Sequence, residues 1–98
     1  MTTELLDRDV FAENGEKLGR VTDVLFATDG ESARWAVISP GLLASERYVP
    51  LVAAYTSTDG RVIVPYDRSI VKHAPKADRD HVITADLEEH LVRYYDIA

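Results

Sequence analysis

The groups in this chain that could do chemistry are three histidines and a scatter of carboxylates. His73, His81 and His90 stand eight and nine residues apart. That separation fits no local zinc pattern, and with no cysteine in the sequence there is no thiolate to complete a site. The stretch "DRDH" gathers Asp78, Asp80 and His81, a crude donor set for a divalent ion. Its ligand spacing and charge density are poor, so the reading is a solvated loop and no metal residue is assigned. Glu88 and Glu89 are adjacent on a helical pattern and point about 100° apart. They cannot easily share one substrate atom and are better explained as partners of the helix dipole. Asp7 and Asp9 form a second loose pair. Asp23 interrupts the apolar run "VTDVLF" and is expected to pair with a base such as Arg20 or Arg34, because an unpaired buried carboxylate is costly. Asp67 invites a similar reading, beside Arg68 or as a turn-former.

No Gly-x-Ser-x-Gly elbow surrounds any serine, and no glycine-rich phosphate loop precedes the helix. The expectation is therefore a protein that is not an enzyme, with no catalytic residue, no cofactor-binding residue and no cofactor.

The elements that must position these groups are short strands. Asn14-Gly15, Asp29-Gly30 and Asp59-Gly60 are hairpin dipeptides, since asparagine and glycine tolerate the positive φ of primed turns, and Pro40-Gly41 marks a further turn. Between them lie "KLGRVTDVLFA" (17–27), "ARWAVIS" (33–39), "RYVPL" (47–51) and "RVIVPY" (61–66). Evenly spaced short strands with such turns predict an antiparallel sandwich or small barrel. Trp35 and Val37 share one face of their strand and are expected inside. In 17–27 the apolar phase shifts, from Leu18 and Val21 to Val24 and Phe26, and Gly19 is well placed for a bulge that bends the strand. Two strands stop on proline, at Pro50 and Pro65. Proline cannot donate to a ladder, so both read as structural punctuation where a barrel turns a corner.

Ile70-Val71 could form one last short strand. A polar linker then runs over about 74–83 and leads into the only convincing helix, about 84–95. Thr84 is its expected N-cap. Leu87, Leu91, Tyr94 and Tyr95 fall at i, i+4, i+7 and i+8, an apolar stripe of helical period. A helix of about eleven residues is marginal alone, so this one must dock.

With 98 residues the chain makes one domain, divided as barrel over about 9–73, linker and helix. Its composition, 46% hydrophobic and 29% charged, is that of a globular protein, too apolar for disorder. The formal charge of −6 repels phosphate backbones, and the arginines are scattered, so nucleic-acid binding is not expected. The opening "MTTELLDRDV" has no signal-peptide run, and no stretch approaches a membrane span. A soluble, cytoplasmic protein is expected.

The order of these elements resembles the PRC-barrel domain, the small β-barrel shared by the photosynthetic reaction centre H subunit and a ribosome maturation factor. The resemblance is carried by "NGEKLGRVTDVLF" (14–26), with its turn Gly15 ahead of Leu-Gly-Arg-Val, and by "RWAVISPGLL" (34–43), "RYVPL" (47–51), "VPYDRSIVKHAP" (64–75) and "LVRYYDI" (91–97). It is strongest to bacterial PRC-barrels that precede a second conserved domain in proteins assigned to stress response. Here the chain ends at Ala98, and Asp96 follows Tyr94-Tyr95 where glycine is expected. The resemblance implies a mainly β fold, a PRC-type barrel of short antiparallel strands with one C-terminal helix. It also implies a non-enzymatic module for protein–protein contact or assembly. The expected partners are a second copy of the chain, in a homodimer, and an unidentified protein. Leu87, Leu91 and one tyrosine should dock on the barrel, while the other of Tyr94 and Tyr95, with Ile97, forms the contact. A ribosome- or RNA-associated factor is the alternative, and a small-ligand or metal-binding barrel the third.

Overall fold

The computed structural model describes residues 5–26, 33–41 and 44–97. In chain order the elements are β1 (Asp9–Ala12), β2 (Lys17–Phe26), β3 (Ala33–Ser39), β4 (Arg47–Pro50), β5 (Tyr55–Thr56), β6 (Val62–Val64), α1 (Arg68–Lys72) and α2 (Ala85–Tyr95). The strands form one six-stranded sheet in the order β4-β3-β2-β1-β6-β5.

Two of the dipeptide turns carry the positive φ that glycine supplies at little cost. Gly15 (φ 91°) closes the β1–β2 connection and Gly60 (φ 89°) the β5–β6 connection. The Asp29-Gly30 turn lies outside the described residues. β2 is the long element, and it carries two bulges. Leu18 is left over between the pairs Val10↔Gly19 and Phe11↔Lys17. Thr22 is left over between Val21↔Ile38 and Asp23↔Val37. A bulge shifts the inward and outward phase of a strand, which accounts for the phase change along 17–27. At Gly19 a Cβ would sit 2.4 Å from the Ser39 carbonyl oxygen, so the strands can approach there only because the side chain is absent.

Three expectations need correction. The pairing is not wholly antiparallel, because β1 runs parallel to β6. Parallel neighbours need a crossover, and the whole of β2 to β5 supplies it. Among the described residues the sheet is not closed: β4 and β5 form its two ends. Finally, Ile70-Val71 belongs to α1, not to a strand. The Asp67 carboxylate accepts the Ile70 N–H at 2.9 Å, and this N-cap starts a helical turn that buries Val71.

The core gathers on β3 and α2. Trp35, Ala36, Val37 and Ile38 are all buried, so both faces of β3 are covered. Pro50 ends β4 opposite Trp35 and is fully buried, whereas Pro65 follows β6 and is exposed. α2 starts where the Thr84 hydroxyl accepts the Leu87 N–H and ends at Asp96 in the left-handed conformation (φ 57°). Leu91 is fully buried and Leu87 packs half-buried against the core. Burying one leucine contributes roughly 1.5–3 kcal/mol, so this face is enough to hold a short helix in place.

Candidate functional site

The loop before α2 is held by one buried side chain. The Tyr48 hydroxyl, projecting from β4, accepts the Asp78 N–H and donates to the Val82 carbonyl, each at 3.2 Å. The His81 N–H closes the turn on the Asp78 carbonyl at 3.0 Å, and His81 itself adopts φ 55°. That left-handed turn aims the imidazole back at the sheet. Its Nδ1 lies 2.9 Å from Asp23 Oδ2 and its Nε2 lies 2.7 Å from Glu46 Oε1. The bulge at Thr22 makes this possible, because it re-aims Asp23 and also brings the Thr22 hydroxyl to donate to Glu46 Oε2 at 2.7 Å. Asp23 holds its other oxygen on the Val24 N–H.

The electrostatics follow from these contacts. The His81 hydrogen bond, aided by Thr22, lowers the Glu46 pKa from the ordinary carboxylate value. The Glu46 hydrogen bond raises the His81 pKa, with Asp23 adding to it and partial burial opposing it. An imidazolium flanked by two carboxylates is the favoured state. With both ring nitrogens occupied, neither is free to take a proton from a substrate, so the cluster acts as a clamp. Asp23 therefore pairs with His81, and not with Arg20 or Arg34. Asp78 and Asp80 stay on the surface, and among the described residues no group of three or more His, Asp or Glu side chains is arranged to hold a metal ion.

Beside the clamp a groove of about 600 Å³ opens between the ends of β2 and β3 and the start of α2. Trp35, Leu25 and Ile83 line it, with Phe26 at the rim and 46% exposed. Glu88 closes one side. Its Oε2 accepts the Arg34 Nε–H at 2.8 Å and the Trp35 indole N–H at 3.3 Å. Glu89 instead pairs with Arg93 one turn on, at 3.0 Å. The paired glutamates thus have separate partners in addition to their place near the helix start.

A family model for the PRC-barrel domain matches residues 2–91 of this chain. The chain belongs to the PRC-barrel domain family. Among curated proteins, none matches it. In this PRC-barrel domain no helix among the described residues is long and apolar enough to cross a membrane.

The C-terminal aromatics of the PRC-barrel domain lie against its own body. Tyr95 is 5% exposed, and its ring meets Tyr66 edge-on at 4.9 Å between centroids. Its hydroxyl donates to the Tyr48 carbonyl at 2.6 Å, and burial holds its pKa well above that of an exposed phenol. Tyr94 is half-buried and its hydroxyl bonds the Ile70 carbonyl of α1. Ile97 is also half-buried, with its N–H on the Val92 carbonyl. The two tyrosines straddle the junction of α1 and the core, so Tyr95 is interior and only Tyr94 and Ile97 retain surface. Glu46, Thr22 and the exposed Phe26 escape a reading of the sequence. Glu46 and His81 are 35 residues apart, and no local spacing announces their meeting.

Proposed function

We propose that this PRC-barrel domain is a non-catalytic contact module that assembles with a second copy of itself through the groove beside Trp35. The single observation that carries the reading is Phe26, an aromatic ring nearly half exposed at a groove whose apolar wall is Leu25, Trp35 and Ile83 and whose polar side is Arg34, His81 and Glu88. A two-fold contact uses the same patch on both partners, so a knob and a groove on one face are self-complementary. Phe26 of each copy enters the groove of the other, covering the exposed ring and the lining of Leu25 and Ile83. Tyr94 and Ile97, half-buried, remain available to a further protein. The absence of catalysis is part of the proposal, and it rests on the occupied nitrogens of His81.

The test is light scattering during size exclusion. The wild-type protein is expected to be dimeric. Phe26→Asp is expected to be monomeric and still to melt cooperatively, at the lower temperature that loss of the partner subunit entails, because Phe26 contributes little to its own core. A wild-type protein that stays monomeric at high concentration overturns the dimer, as does a Phe26→Asp variant that still dimerises.

A further inference from the structure

At the other end of β2 from the Phe26 groove, about seven strand residues and roughly 20 Å away, lies a second groove of about 730 Å³. It runs between the β1–β2 turn, the chain leading into β4, and α1 with the segment after it. In a chain with 17 acids and 11 bases, this groove is lined by four bases and only two acids. The bases are Arg47, Arg68, Lys72 and Lys76. Both acids are already engaged. Asp67 caps α1, and Glu16 lies 3.9 Å from Arg68. No carboxylate among the described residues pairs with Arg47, Lys72 or Lys76, although ion pairs occupy many of the other charged side chains. Three cations therefore line one concavity with no ion-pair partner among the described residues, and Leu18 and Val71, 4% and 3% exposed, lie at its base.

We infer that this groove binds an acidic, partly apolar peptide segment of a protein partner. The excess of bases selects carboxylate side chains, and the apolar base at Leu18 and Val71 favours an apolar residue beside them over a further charge. A nucleic acid fits less well. No Phe, Tyr or Trp lines the groove to stack a base, and the −6 charge of the chain repels a long polyanion. A short peptide presents few charges and meets only the local field. The inference extends the contact-module reading to a second surface, and its test is separate from that of the dimer.

The probe is a fluorescein-labelled peptide in which glutamate alternates with leucine, followed by anisotropy at low and at high salt. Binding is expected at low salt and should weaken as salt screens the cations. Lys72→Glu combined with Lys76→Glu should weaken it about tenfold or more, since each reversal removes an attraction and adds a repulsion. Both lysines are exposed, so the variant is expected to melt cooperatively, with a small loss because Lys72 stands in the last turn of α1. Phe26→Asp should bind the peptide as the wild type does, even if it no longer dimerises. A wild-type monomer that binds the peptide would fell the dimer and leave this site standing. The inference is overturned if the peptide does not bind at low salt or if the double variant binds it equally. It is also overturned if a single-stranded RNA of equal length binds more tightly and is lost in the same variant.

Discussion

Replacing His81 by Asn should remove a pH-dependent clamp and leave the backbone almost undisturbed. The choice of asparagine matters because His81 has φ 55°, a conformation that asparagine tolerates and alanine does not. The two contacts to be lost are 2.9 Å to Asp23 and 2.7 Å to Glu46. Desolvated, a hydrogen bond to a charged group contributes about 1.5–3 kcal/mol. Here the Asp23 and Glu46 side chains are 42% and 32% exposed, so water screens much of that and the loss should be about 1 kcal/mol in total. The His81 pKa is raised above 6.5 on folding, so its contribution is fully present below pH 6.5 and disappears as pH rises through the folded value. The Glu46 pKa is lowered below 4.5, so its contribution is present above pH 4.5 and is lost as pH falls through its folded value. The clamp is thus strongest between pH 4.5 and 6.5. Urea unfolding followed by Trp35 emission, for wild type and His81→Asn, should show the largest difference near about pH 5.5 and a much smaller one near about pH 9. A stability difference that is flat across this range would refute the charged clamp.

The other expectations concern the frame that holds the site. Tyr95→Phe keeps the buried ring but leaves the Tyr48 carbonyl without the phenol, and should cost about 1–2 kcal/mol by chemical denaturation. Gly19→Ala places a methyl 2.4 Å from the Ser39 oxygen and 2.5 Å from Ile38 Cγ2. Since a backbone oxygen cannot swing aside, it should cost roughly 2–4 kcal/mol, and an unchanged melting temperature would contradict the close approach of β2 and β3. Asp96→Gly should stabilise by about 1 kcal/mol, because Asp96 ends α2 at φ 57° with a negative charge at the negative end of the helix dipole. Calorimetry would read the gain.

The sequence carries information about strands and the helix because those depend on near neighbours. The turn glycines, the N-cap at Thr84 and the stripe through Leu87 and Leu91 are each set within a few residues. Even the glycine expected after Tyr94-Tyr95 has a local cause, since Asp96 occupies the left-handed C-cap position that favours glycine. Long-range pairings left no such trace. The parallel contact of β1 with β6 joins Val10 to Val62, and nothing in "DVFA" or "VIV" states a direction. A two-residue apolar run, Ile70-Val71, suits a strand or a helix equally, and the deciding group is the Asp67 carboxylate three residues earlier. The clamp was hidden most completely. It joins Asp23, Glu46 and His81 from three separate segments, and "DRDH" read as a solvated loop because the partners of His81 lie far away in the chain.

The physical link between these features is β2. One of its bulges, at Leu18, sits at the basic groove, and the other, at Thr22, turns Asp23 toward His81. Each bulge leaves one residue without a ladder partner and increases local twist. The two are four residues apart on the strand that also makes the sheet's central pairings, with β1 on one side and β3 on the other. The two proposed surfaces, at the Phe26 end and at the Leu18 end, therefore share one strand. Its register is fixed between them by Gly19 against Ser39 and by Val21 against Ile38. On the reading proposed above, the two surfaces stand at a set distance along one strand, as a module that joins partners requires.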